Sequence, residues 1–377
     1  MKKLGFGFMR LPLNSDDVTD INYDELNRMV DTFIERGFNY FDTGYYYHNG
    51  ASEVALRKSL VERYPRESYI LADKIPVYTI TKQEELEPIF KDQLEKCGVD
   101  YFDYYLVHNV CKYSEKGFVD VDSFSFVNRK KEEGYIKHMG ISFHDNAEML
   151  DDILNQYPEI EFVQLQINYF DWENESVQSR KCYEVCNKHK KPVIVMEPVK
   201  GGTLVNLSEE ADELMKKYNP NDSIASWAIR YCASLDDVMM VLSGMTTTEQ
   251  VEDNTTFMDN FRKINDEEQE IIDSVVEILG KQITVDCTRC NYCLEYCPKG
   301  IDIPKLFDLY NIEMFTKPKG FSAQGQYYRT YAKKENVGIA SDCIECGACI
   351  EKCPQHIKIP DYLKKVAEIF EIPMYGF

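Results

Sequence analysis

Long hydrophobic runs are missing from this 377-residue sequence: no stretch approaches the roughly 18 apolar residues that a membrane helix needs, so no membrane partner is expected. Positive charge is scarce. There are 43 Lys and Arg against 64 Asp and Glu, a formal net charge of −21, and so acidic a chain repels phosphate backbones, which excludes nucleic acid as a partner. The opening segment MKKLGFGFMRLPL lacks the apolar stretch and small-residue cleavage site of a secretory signal, so the chain is expected to be cytoplasmic. A Gly-x-Gly-x-x-Gly turn after the first candidate strand is also missing, which argues against an open doubly wound sheet.

What the sequence does have is alternation. Short β-rich runs at Leu4–Met9, Phe38–Asp42, Tyr69–Lys74, Tyr104–His108, Ile136–Ser142, Phe162–Gln166, Val193–Glu197 and Val238–Ser243 are separated by helical periodicity. Examples of the latter are Tyr23–Arg36, Ser52–Arg63, Lys82–Lys96, Ala147–Gln156 and Val177–His189. Units of this kind repeated over such a length predict an α/β chain, a (β/α)₈ barrel over residues 1–280. From 281 to 377 cysteine becomes dense and strand alternation stops, which predicts a small, mainly α-helical second domain.

In an intracellular chain, 13 cysteines point to metal or redox chemistry rather than to disulfides. Cys287, Cys290, Cys293 and Cys297 form C-x₂-C-x₂-C-x₃-C followed by Pro298, and Cys343, Cys346, Cys349 and Cys353 repeat it before Pro354. Three thiolates at intervals of three wrap a loop around three corners of a cubane, and the fourth cysteine closes the partner cubane. Two 4Fe–4S clusters are therefore expected, one on Cys287, Cys290, Cys293 and Cys353, the other on Cys343, Cys346, Cys349 and Cys297. Structural zinc would take its cysteines in separated pairs. The stretch resembles two-cluster bacterial ferredoxins, and its middle is similar to the α-helical ferredoxin domains of multi-subunit oxidoreductases. Cys97, Cys111, Cys182, Cys186 and Cys232 read as buried thiols. Of these, Cys111 is the one expected near chemistry, and Cys182 and Cys186, one helical turn apart, could together hold a metal.

Catalytic groups of a (β/α)₈ barrel lie at the carboxyl ends of its strands. There the sequence has Phe41-Asp42-Thr43-Gly44-Tyr45-Tyr46-Tyr47, Ala72-Asp73-Lys74 and Leu106-Val107-His108-Asn109. On these residues, and on Ser52-Glu53, residues 4–265 resemble the aldo/keto reductases. The resemblance implies a catalytic set of Asp42, Tyr47, Lys74 and His108. Tyr47 would donate a proton, its pKa lowered by the Lys74 ammonium; Asp42 would hold Lys74, and His108 would polarise the substrate carbonyl. Tyr45 and Tyr46 are rivals for the acid role. On the cofactor side the resemblance implies Ser142 and Gln164 as the clamp on a nicotinamide amide, with Phe143 where the family has asparagine and Glu197 where an aromatic ring often stacks. It also implies that Gly244, Met245, Thr246, Thr247, Gln250 and Asn254 form a phosphate loop and adenine helix. Gly244 and Gln250 stand where NADP-preferring members carry basic residues, so NADP and NAD both remain open.

The function expected is reduction of a small carbonyl to an alcohol, or the reverse, with the clusters exchanging electrons with a carrier such as a ferredoxin or flavodoxin. Lys317, Lys319, Arg329, Lys333 and Lys334 form a basic segment that could steer an acidic carrier. Clusters move single electrons while nicotinamide takes a hydride, so a flavin in the barrel pocket is the alternative cofactor. The competing reading is a redox sensor or regulatory electron-transfer protein on a barrel scaffold. A third treats the clusters as structural staples.

Overall fold

The computed structural model describes residues 2–371 apart from 176, 282–283, 286, 288–290, 292, 317, 319–321, 335, 354–356 and the side chain of residue 113. Cys290, Pro354, Lys317 and Lys319 therefore lie outside the described residues. The strands form a closed parallel barrel in chain order: β1 (Leu4–Gly7), β2 (Tyr40–Asp42), β3 (Ile70–Ile75), β4 (Phe102–Val110), β5 (Ile136–Phe143), β6 (Phe162–Gln166), β7 (Val193–Met196) and β8 (Val238–Ser243). Parallel neighbours need a crossover, and the helices supply it. They are α1 (Tyr23–Glu35), α2 (Ala51–Leu56), α3 (Leu86–Cys97), α4 (Glu115–Phe118), α5 (Ser123–Glu132), α6 (Ala147–Gln156), α7 (Ser179–Lys188), α8 (Glu209–Tyr218), α9 (Ile224–Ser234), α10 (Thr248–Asp259) and α11 (Asp266–Gly280). The (β/α)₈ expectation is borne out, and strand ends differ from it by a residue or two. The helix expected over Ser52–Arg63 instead leaves α2 as a π-helical turn at Arg57–Val61.

Two apolar layers build the barrel. Inside, Tyr40, Leu106, Phe162, Ile194 and Met240 interdigitate. A Cβ on Gly140 would sit 2.6 Å from the Phe162 ring, so glycine there makes room for that ring. Outside, strand residues such as Phe41, Leu71 and Val107 pack against Met29, Phe33 and Phe90 of the helices.

Beyond α11 come α12 (Ile303–Thr316), α13 (Ala323–Ala332), α14 (Ala348–Lys352) and α15 (Ile359–Phe370), a mainly helical domain as expected. Its separate core gathers Leu306, Phe307, Tyr328, Tyr331, Leu363 and Val366 around Cys293 and Cys349. Val177, from the loop after β6, packs into the same core. The domain sits on the carboxyl-end loops of the barrel. Gln326 Nε2 donates to Asn109 Oδ1 at 3.2 Å after β4, Lys334 Nζ lies 3.7 Å from Asp145 after β5, and Phe315 stacks on Phe170 after β6.

Candidate active site

Asp42 ends β2, Lys74 lies near the end of β3 and His108 near the end of β4, so parallel register brings three polar side chains to one rim. Lys74 is fully buried; its Nζ donates to Asp42 Oδ1 at 2.5 Å and to the Thr43 carbonyl at 2.6 Å. The Tyr47 ring lies over that ammonium, 5.1 Å from centroid to Nζ, and meets the His108 ring edge-on at 5.8 Å. Gly44 permits this approach, because a Cβ there would come within 3.1 Å of the Tyr47 ring. The neighbouring tyrosines point elsewhere: Tyr45 donates to Asp92 Oδ2 at 2.8 Å, and Tyr46 reaches Thr79 Oγ1 at 3.4 Å.

Burial sets the protonation of this group. It would lower the Lys74 pKa by itself, but Asp42, Tyr47 and Asp73 outweigh it and raise the pKa, so the amine is charged. Burial raises the Asp42 carboxyl against the pull of Lys74. Tyr47 departs from the sequence-based expectation: burial raises its pKa, and Lys74 opposes that rise without reversing it. The phenol keeps its proton. Burial, helped by Lys74, drives His108 well below its ordinary pKa, so the imidazole is neutral, and its buried Nδ1 has no hydrogen-bond partner among the described residues.

Beneath Lys74 lies a buried acid pair that the sequence did not reveal as a unit. Burial pushes Glu53 up to about 10 and Asp73 up to about 6. Glu53 accepts from Gln93 Nε2 at 3.1 Å, Gln93 in turn accepts from Tyr105, and the Cys97 thiol lies 3.6 Å from Asp73 Oδ2. Cys97 therefore stands beside the lysine network, a place expected for Cys111 alone. Cys111 is buried three residues beyond His108, with its Sγ 3.8 Å from Gln326 Nε2 of the second domain. Cys182 and Cys186 are ordinary buried residues of the outer core. A second histidine at the rim, His144, was also missed. Burial pushes it down to about 4, its charge would act on His108, and its ring faces Tyr327 of the second domain at 6.5 Å.

Ser142 and Gln164 are register partners on β5 and β6. Ser142 Oγ accepts from the Asn109 N–H at 2.8 Å, and Gln164 Oε1 is buried without a partner among the described residues. Gly244 and Thr246 are exposed after β8, whereas Met245 is 1% exposed and belongs to the barrel core, a different place from a ligand-facing loop. Thr247 caps α10 by accepting from the Gln250 N–H, and Gln250 Oε1 accepts from the Thr246 N–H at 2.7 Å. Asn254 is buried and donates to Ser243 Oγ at 2.9 Å. Glu25 Oε1, from α1, accepts from both the N–H and the hydroxyl of Thr248 at the start of α10, at 2.7 and 2.8 Å. After β7, Glu197 lies 3.6 Å from Arg10, and buried Lys200 pairs with buried Asp171 at 2.6 Å.

In the second domain Cys297, Cys343, Cys346 and Cys349 line one hollow, closed by Ile303 and Leu363. Of the remaining described cysteines of the two runs, Cys293 is buried and Cys287 and Cys353 are half-buried. Of the basic segment, Lys333 is exposed, Lys334 Nζ lies 3.7 Å from Asp145 of the barrel, and Arg329 Nη2 donates to Gln326 Oε1 at 3.0 Å. Among the described residues no helix is long and apolar enough to cross a membrane.

The aldo/keto reductase family model matches residues 3–277, and a 4Fe-4S dicluster domain model matches residues 281–354. The NADH-specific methylglyoxal reductase of Escherichia coli (strain K12) is 23% identical over 276 residues, which cover 60% of this chain and 81% of that protein. An uncharacterized oxidoreductase of Schizosaccharomyces pombe is 26% identical over 271 residues, covering 67% of this chain and 80% of that protein. Among solved structures, an aldo-keto reductase from Klebsiella pneumoniae in complex with NADPH aligns with a TM-score of 0.58 at 16% identity, covering 73% of this chain and 90% of that one. The holo form of an aldo-keto reductase from Bacillus halodurans gives 0.56 at 24% identity, with 72% and 91% covered. At such identities these two structures bear on the fold alone.

Proposed function

The chain belongs to the aldo/keto reductase family and carries a 4Fe-4S dicluster domain, and from that premise we propose that it interconverts a carbonyl and an alcohol with a nicotinamide cofactor. The barrel is assigned to residues 1–280 and the cluster module to 281–377. The clusters exchange single electrons with an external carrier of ferredoxin or flavodoxin type. The observation that carries the reading is the buried Lys74 ammonium, held by Asp42 and covered by the Tyr47 ring beside the unpartnered nitrogen of His108.

When bound, a reduced nicotinamide supplies a hydride to the carbonyl carbon. Tyr47, kept protonated by its burial, gives its hydroxyl proton to the carbonyl oxygen as charge gathers there. Lys74 steadies the phenolate left behind, and Asp42 keeps Lys74 charged and in place. Neutral His108 supplies a hydrogen bond to the same oxygen. The residues fit the cofactor. The orphaned acceptor of Gln164 suits the amide N–H of a nicotinamide, and the Ser142 hydroxyl is its register neighbour. They fit clusters as well: Cys297 with Cys343, Cys346 and Cys349 is a three-plus-one thiol set around one hollow. The other set is Cys287, Cys290, Cys293 and Cys353.

Glu25 favours NAD(H) over NADP(H). Its carboxylate, held below the usual range by Arg28, takes the Thr248 donors at the start of α10. A ribose 2′-phosphate there would meet that charge and Glu249, with Gly244 and Gln250 in place of basic residues.

The test is anaerobic steady-state reduction of a panel of aldehydes with each nucleotide. Aldehyde-dependent oxidation of NADH should exceed that of NADPH in kcat/KM, and Tyr47→Phe should lower kcat by a factor on the order of 10² with nucleotide affinity unchanged. No turnover by protein with intact clusters would overturn the enzyme reading in favour of a redox sensor.

A further inference from the structure

An open cleft runs between the barrel mouth and the cluster domain. Arg10, Glu197 and Lys200 line it on the barrel side, and Thr316, Ala323 and Gln324 on the other. One wall is thus built from the module that carries the cysteines.

The cleft is continuous with the loop after β8. A Cβ on Gly244 would meet Arg10 Cδ at 3.2 Å, and the Thr246 hydroxyl donates to the Arg10 carbonyl at 3.1 Å. On the β7 side, a Cβ on Gly201 would lie 3.3 Å from Arg10 Nη2. The guanidinium is threaded between two glycines, and its counter-charge, Glu197, is a loose 3.6 Å away. Lys200 is already committed to Asp171.

Across the cleft stands the first turn of α13. Ser322 caps it by accepting from the Gly325 N–H, and the N–H groups of Ala323 and Gln324 make no hydrogen bond to the described residues. A helix start with free donors attracts anions. The second observation is independent of the helix: the Gln324 side chain is 3% exposed, lines the cleft and has no hydrogen-bond partner among the described residues. Bordering that open cleft, its amide has N–H donors to offer an anion there.

We propose that the diphosphate of the nicotinamide nucleotide is held between the two domains, by Arg10 from the barrel and by Gln324 with the first turn of α13 from the cluster domain. This rests on the nicotinamide reading above and extends it: the cluster domain is a wall of the cofactor site, and the nucleotide touches both modules at once.

The test is NADH binding, read by nucleotide fluorescence on anaerobically prepared protein of verified iron content. Gln324→Ala should raise Kd by about tenfold or more, the effect of one lost hydrogen bond to a charged group. The isosteric Gln324→Glu, which keeps the packing and sets a carboxylate against the diphosphate, should raise it further. Wild-type affinity in both variants would overturn the proposal and leave the nicotinamide reading standing. Absence of NADH and NADPH binding to the wild type would overturn both.

Discussion

Glu53 is a carboxyl group with no room for its charge. It is fully buried, and burial with Asp73 beside it pushes its pKa up to about 10 from an ordinary 4.5. Between those values the folded chain holds a proton that the unfolded chain has released. Its contribution to stability is therefore full below about pH 4.5 and is lost progressively as pH rises toward 10. Asp73, pushed up to about 6, acts in the same direction over a narrower window. Glu53→Gln, which carries a donor toward Asp73 without needing a proton, should flatten this decline. Thermal unfolding at pH 5 and pH 8 checks it: the variant should gain on the wild type at the higher pH, and parallel curves would show that Glu53 is ionised. Asp42, Lys74 and His108 were readable at this scale because strand ends mark the rim. The acid pair was not, since nothing local in Ser52-Glu53 or Asp73 announces that both lie under Lys74. The sign of the Tyr47 shift was missed for a related reason: neighbours can be guessed from a motif, whereas desolvation depends on everything packed around it.

Among the elements, α11 shows how a helix start can also be a tertiary anchor. Asn265 accepts from the Glu268 N–H at 2.9 Å and Glu268 Oε2 accepts from the Asn265 N–H at 3.1 Å, a reciprocal cap. The same buried carboxylate receives two bonds from Arg230 of α9, at 2.9 and 2.8 Å, and Arg230 is itself 2% exposed. Removing the cap acceptor with Asn265→Ala should cost about 1 kcal/mol. Glu268→Ala strips a buried guanidinium of its principal partner and should cost about 3 kcal/mol. Denaturant midpoints of the barrel transition, followed by circular dichroism, separate the two, and equal losses would mean that Arg230 is served well enough by Asp222 at 3.4 Å. Strands and long helices were legible because their apolar period is imposed by the barrel they wrap. The π-helical turn at Arg57–Val61 and the short α4 were not, because each depends on packing from distant segments.

At the scale of the whole molecule, two cores stand apart, and the smaller places Cys293 and Cys349 among its aromatic residues. Anaerobically isolated protein should carry about eight iron and eight sulfide per chain, two cubanes on four thiolates each. Chelation should then erase the ordering of the small core while the helical and strand signal of the barrel persists. Near- and far-ultraviolet circular dichroism read these separately, and loss of both together would mean one cooperative unit. The change of grammar near residue 280 made a second domain legible in the sequence. Its seat did not show, because Asn109, Asp145, Phe170, Gln326 and Lys334 belong to no motif and meet only when the chain is folded. That seat divides the rim. Loops after β4, β5, β6 and β7 are bound to the cluster domain, and a change in any of them must be matched by a change in its partner. The loops after β1, β2 and β3 carry no such obligation among the contacts described. A lineage adapting this chain to a new carbonyl would therefore record its history in residues 11–22, 48–50 and 76–85, with Arg10, Gly44 and Tyr47 kept, while the opposite half of the mouth drifted only in step with the domain above it.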